Sequence, residues 1–211
     1  MRRFVVYFVG LNLLALGIVL NISTNLGVAA LSSSIYATSV IFSLSLGTAS
    51  IIWYLLFVAV QCILTGKIKR EFLLEIPLSF AFGFLNDFYD RLLHITPCSA
   101  VQSGFLLLIA VACISMGVFL TSKTELVLNP GDGMVRTISR VFQKPFYMTK
   151  NCFDISMILA SLALSAATGN PVLGIGAGTI ISALFTGRFI KWWDRLFGEK
   201  VLGYMQLETK F

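Results

Sequence analysis

The chain has 211 residues, 57% of them hydrophobic and only 12% charged, with sixteen Lys and Arg against ten Asp and Glu. Soluble domains carry about 25% charged residues, so this chain lacks the charge to cover a water-facing surface, and the same balance excludes disorder. The net charge of +6 reads as cytoplasmic loops rich in Lys and Arg rather than as a nucleic-acid footprint. An integral membrane protein is expected, with lipid as its first partner and no nucleic acid.

Arg2 and Arg3 precede an apolar run over 4–22 that is long for a signal peptide and has no A-x-A site after it. It reads as the first transmembrane helix. No Asp, Glu, Lys or Arg occurs from 4 to 66, from 92 to 122 or from 155 to 187. One helix crosses the bilayer with about 20 apolar residues, which places spans at 4–22, 49–66, 74–93, 102–122, 150–168 and 172–190. The alternation of a membrane barrel is absent, so the fold class is all-α.

Two further segments read differently. Residues 28–45 carry Ser32, Ser33, Ser34, Thr38, Ser39, Ser43 and Ser45, and 131–143 opens with Pro130-Gly131-Asp132-Gly133 and holds Arg136 and Arg140. The second is too short and too charged to cross lipid, and Pro and Gly at its start suit a helix that begins within the membrane or at its surface. Both are expected to be short re-entrant or interfacial helices, although the first is long enough to span.

The chain repeats itself. Gly17-Ile18-Val19-Leu20 matches Gly117-Val118-Phe119-Leu120, and Thr24, Leu26, Ser39 and Phe42 match Thr124, Leu126, Ser139 and Phe142, all at an offset of 100. Thr65-Gly66 matches Thr168-Gly169, and Asp90-Arg91-Leu92 matches Asp194-Arg195-Leu196 at offset 104. The expected units are a first membrane repeat over 1–97, a second over 98–190 and an interfacial and cytoplasmic tail over 191–211. If all eight segments spanned, four of the sixteen cations would face outside; with six spans only Arg91 does. The positive-inside rule therefore favours six spans with both termini cytoplasmic. Three spans per repeat is odd, so the repeats would run in opposite senses, a common transporter plan.

Ionisable groups within the membrane are costly and carry a functional expectation. Asp154 lies four residues after Lys150, on the same helix face, as either a coupling carboxylate or an anchoring ion pair. In Asn129-Pro130-Gly131-Asp132-Gly133 the glycines let backbone approach a ligand, and a helix starting there aims free N–H groups at an anion, with Arg136 one turn on. A polar turn with Asp132 as N-cap is the plainer alternative. The counterpart in the first half is Asn25-Leu26-Gly27, followed by Ser33 and its neighbouring hydroxyls. The candidate binding or coupling set is thus Asp132, Gly133, Arg136, Lys150, Asp154, Asn25 and Ser33. Asp87 and Arg91 are expected to pair, and Asn12 and Asn21 to face protein. Gly174…Gly178 reads as helix packing. Cys62, Cys98, Cys113 and Cys152 form no C-x-x-C pair, and with His94 as the single histidine no metal or cofactor is expected. No catalytic constellation is present, so no enzyme is expected.

Leu16-Gly17-Ile18 leading to Asn25-Leu26-Gly27-Val28, the Pro130…Asp132-Gly133 turn, the pair Lys150 and Asp154, and Gly176-Ala177-Gly178-Thr179 followed by Ala183-Leu184-Phe185-Thr186-Gly187 together resemble the YczE/YyaS/YitT group of bacterial membrane proteins, nearest its YczE branch. The first turn of that group often continues Ser-Pro-Trp-Asp, where this chain has Ala29-Ala30-Leu31-Ser32. The resemblance implies a multi-pass inner-membrane protein connected with transport. A small secondary transporter or permease is the leading expectation, its solute held between the repeats. The alternatives are a substrate-binding subunit that docks ATPase partners, a homo-oligomer among the possible assemblies, or a membrane scaffold for a biosynthetic pathway.

Overall fold

The computed structural model describes residues 1–206 other than 94, 96 and 98. His94, Cys98, the repeat boundary at 97/98 and the last residues of the tail lie outside the described residues. Those described form eight helices and no strand: α1 (Arg2–Ser23), α2 (Ala30–Ile41), α3 (Leu46–Thr65), α4 (Arg70–Leu92), α5 (Ala100–Lys123), α6 (Pro130–Val141), α7 (Phe146–Ala167) and α8 (Ala177–Met205). The class is all-α. By length and composition α1, α3 and α5 are apolar enough to cross a bilayer. The other long helices carry charge: α4 has Glu71, Glu75, Asp87, Asp90 and Arg91, α7 has Lys150 and Asp154, and α8 is charged from Arg188 onward.

Local chemistry sets the helix ends. Ser45 and Ser99 cap α3 and α5 by accepting from the N–H groups of Thr48 and Gln102, satisfying donors that the first turn leaves free. α3 ends on Gly66 in the left-handed region, at φ 61°, where glycine adds no steric strain. Pro130 stands in the first turn of α6, where a missing N–H costs nothing.

The offset of 100 reappears in the backbone. α2 and α6 have twelve residues each, about 18 Å at 1.5 Å per residue and short of a bilayer core of about 30 Å. Asn25 and Glu125 share a positive φ, as do Ser43 and Gln143. Ser39 Oγ donates to the Leu44 carbonyl at 2.8 Å, and Ser139 Oγ to that of Lys144 at 2.7 Å.

The centre of the molecule is the crossing of α1 and α5. Gly17 lies against Ala110 and Ile114, Gly117 against Gly10 and Leu14, and Gly10 against Leu120 and Thr121. Residue numbers rise on one helix as they fall on the other, so the two run antiparallel. A side chain at Gly117 would stand 2.6 Å from the Leu14 nitrogen, so only glycine permits this approach. Around the crossing, α2 packs on α7 and α3 on α6, while α4 packs on α3 and α8 on α5. Tyr89 of α4 donates to Asn12 Oδ1 of α1 at 3.0 Å, and Trp193 of α8 to Ser115 Oγ of α5 at 3.0 Å.

Large apolar side chains face outward on all six long helices, among them Phe8, Leu56, Phe84, Phe105, Leu159 and Ile180. By contrast α2 buries seven of its twelve residues, Ser32, Ser33 and Ser34 included. Asn21 faces protein as expected, accepting from the Ala29 N–H at 2.8 Å.

Past the sixth span α8 runs unbroken to Met205, with Trp193 turned inward onto α5 and Asp194 paired with Lys123 at 2.7 Å. Two expectations change. Gly174 is not helical but sits in the preceding loop at φ 72°. That loop meets the α1–α2 turn, with Val28 N–H donating to the Gly174 carbonyl at 2.8 Å and Gly178 N–H to that of Leu26 at 2.7 Å. Asp87 does not pair with Arg91; it accepts from the Ser45 hydroxyl at 2.8 Å and the Gly47 N–H at 2.6 Å, holding the start of α3.

Candidate functional site

The start of α6 lies deep in the bundle. Pro130, Gly131 and Gly133 are buried, and the Leu31 side chain from the first turn of α2 sits over Gly131. Leu31 and Gly131 are equivalent at the offset of 100, so the two short helices meet by their N-terminal ends. The N-cap of α6 is Asn129, whose side chain accepts from the Gly131 N–H at 3.2 Å. Asp132 therefore does not cap the helix. It stands in the first turn, where the free N–H groups and helix dipole favour a negative charge.

From there Asp132 faces α7. Lys150 Nζ lies 3.0 Å from Asp154 Oδ1 and 3.7 Å from Asp132 Oδ1. Lys150 and Asp154 occupy one face of α7 at i and i+4, so the expected pair forms, and Asp132 joins it across the helix interface. All three side chains are between 24% and 29% exposed. The triad is half-buried, and its two carboxylates face one ammonium. Tyr54 of α3, fully buried, faces Asn129 behind it.

The rest of the expected set is not gathered there. Arg136 is exposed. Asn25 is exposed in its left-handed turn after α1. Ser33 is buried against α7, one turn beyond Asp154, and its hydroxyl donates to the Ala30 carbonyl at 2.7 Å with the Met157 carbonyl at 3.3 Å. Gly133 does admit a close approach, but what approaches it is a carboxylate of this chain, that of Glu75.

Glu75 was not among the expected residues. It is 3% exposed on α4. Its Oε2 accepts from Gln61 Nε2 of α3 at 2.7 Å, and Gln61 Oε1 accepts from the Thr137 hydroxyl of α6 at 2.9 Å. Gln61 is fully buried and Thr137 nearly so. The sequence signals available were Glu75's own place in the expected span 74–93 and Gln61 in the span before it; nothing local announces that the two meet, or that Thr137 of α6 joins them. Beside this chain, the α3–α4 turn and the far half of α6 enclose a cleft of about 350 Å³ whose lining includes Lys67, Lys69, Phe72, Thr137 and Arg140. Among the described residues no group of three His, Cys, Asp or Glu is arranged to hold a metal ion.

The arrangement thus offers two polar centres at the start of α6: a charged triad toward α7 and a neutral-or-anionic carboxyl network toward α3 and α4. No curated protein and no solved structure matches the chain. Residues 1–195 match a family of unknown function, DUF6198, and the chain belongs to that family.

Proposed function

We propose that this chain is a small permease of the bacterial inner membrane, with a solute- or ion-coupling site at the Lys150–Asp132–Asp154 triad between two inverted repeats. In this reading α1, α3, α4, α5, α7 and α8 span, α2 and α6 are re-entrant, and both termini are cytoplasmic. The antiparallel crossing of the equivalent helices α1 and α5 supports the inverted relation, since a two-fold axis in the membrane plane reverses helix direction. The outward Phe84, Leu159 and Ile180 support spanning by α4, α7 and α8 despite their charges. The resemblance to the YczE/YyaS/YitT group belongs to the same reading.

The observation that carries it is the ion triad. Lys150 bridges a re-entrant helix start and a spanning helix, at the point where the two short helices meet. Broken or re-entrant helix ends near the repeat interface are where transporters hold their solutes. An ammonium shared between two carboxylates is poised to exchange one of them for a solute group or a proton. The test is thermal unfolding of the purified chain across a panel of small solutes. A ligand of the native state raises apparent stability, and the reading expects at least one to do so in the parent chain and not in Asp132→Asn. A panel with no stabilising member, or equal stabilisation in Asp132→Asn, contradicts it.

A further inference from the structure

We propose that Glu75 is a proton-binding site, separate from the Lys150 triad and reached from the cleft at the α3–α4 turn. As a coupling site this rests on the permease reading; as a proton site it stands by itself. No cation among the described residues pairs with Glu75: the four ion pairs involve Lys123, Arg140 and Lys150 with other carboxylates. The groups that face it are few. On its own helix Glu71 lies one turn back, and that carboxylate is turned to Arg140 at 3.8 Å. From α1 comes Tyr7, whose hydroxyl already donates to the Val127 carbonyl at 2.7 Å. From α3 comes the Gln61 amide and from α6 the bare Cα of Gly133. A buried carboxyl without a counter-charge is held most cheaply with a proton on it.

The network is built to register that proton. An ionised carboxylate only accepts, whereas a carboxylic acid also donates. With Glu75 ionised, Gln61 turns its N–H to Glu75 and its oxygen to the Thr137 hydroxyl. When a cleft proton forms an O–H bond at Glu75, a half-turn of the amide lets its oxygen accept from Glu75 and its N–H donate to Thr137. Protonation then reverses a hydrogen bond on α6, about one and a half turns along from Asp132. Thr137 also lines the cleft, so the water there is the proton's exchange medium.

The test is labelling of the purified full chain in detergent by a hydrophobic carbodiimide, which adds to protonated carboxyls, with the modified peptides identified by mass spectrometry. The proposal expects an adduct on Glu75 that forms at least about tenfold more slowly in alkaline than in acid buffer, as the reactive acid form titrates away. Asp154→Asn leaves this labelling unchanged, and Thr137→Val shifts the pH at which it falls. No adduct at Glu75 at any pH, or one insensitive to pH, overturns the proposal. The measurement needs no solute, so it can fail while the permease reading stands, and it can succeed if no solute is ever moved.

Discussion

Replacing Gly117 by alanine tests the α1–α5 crossing on which the two halves are built. The added methyl carbon would stand 2.6 Å from the Leu14 nitrogen, 2.7 Å from the Gly10 carbonyl oxygen and 2.8 Å from Leu14 Cβ. Ordinary carbon contacts lie at about 3.5–4.0 Å, so the helices must part by roughly 1 Å. The obstacles are mainly backbone atoms of a packed helix, which cannot swing aside as a side chain does. Overpacking of this kind costs about 1–3 kcal/mol, while alanine returns up to about 1 kcal/mol of helix propensity over glycine. The net expectation is a loss of about 1–2 kcal/mol, a fall in Tm of roughly 2–8 °C for a chain of this size. Gly17→Ala meets the mirror obstacle, 2.7 Å from the Ile114 nitrogen. Because the first separation makes room for the second methyl, the double variant loses less than the sum of the singles. Thermal unfolding in a mild detergent reads all three. Stabilisation by either single change, or strict additivity of the two, refutes the close crossing.

Three further outcomes are expected. Lys150→Met leaves Asp132 and Asp154 facing each other without a counter-charge and lowers stability by about 1–3 kcal/mol, below the cost of a fully buried pair because water reaches the triad; Asp154→Asn, which leaves Asp132 for Lys150, costs less, and equal losses in thermal unfolding would count against the triad. Asp87→Ala removes the acceptor for the Gly47 N–H and Ser45 hydroxyl and costs about 1–2 kcal/mol in the same assay, the range for losing a helix cap; an unchanged Tm would show that the cap is idle. In a chain freed of its native cysteines, a cysteine at position 91 is labelled by a membrane-impermeant thiol reagent from outside intact cells and one at position 67 is not, and the reverse pattern rules out the six-span order.

Much of the plan is written locally. The Pro130-Gly131 start of α6 and the short polar segment of α2 both act within a few residues, so composition and spacing disclose them. Lys150 and Asp154 share one helix face, and their pairing follows from helical geometry alone. What escaped the sequence is long-range. Asp132 joins Lys150 only because α6 packs on α7, and Glu75 meets Gln61 and Thr137 only because α3, α4 and α6 converge. Gly133 was expected to admit a ligand; its missing side chain instead makes room for Glu75. Asp87 had a helical neighbour in Arg91, yet the unsatisfied N–H groups at the start of α3 hold it, a competition decided by tertiary packing. The charged end of α8 read as a tail because its inward contacts, Trp193 with Ser115 and Asp194 with Lys123, lie on another helix.

The central claim is that this chain alone moves a small solute through a site at the Lys150 triad. Its most direct test is uptake into proteoliposomes holding only the purified chain, using a solute that stabilises it. The account predicts flux by the parent chain and a loss of at least about tenfold in folded Asp132→Asn and Asp154→Asn variants, as for groups that couple within the membrane. Absence of flux without an added ATPase partner, or full flux in both variants, would contradict it.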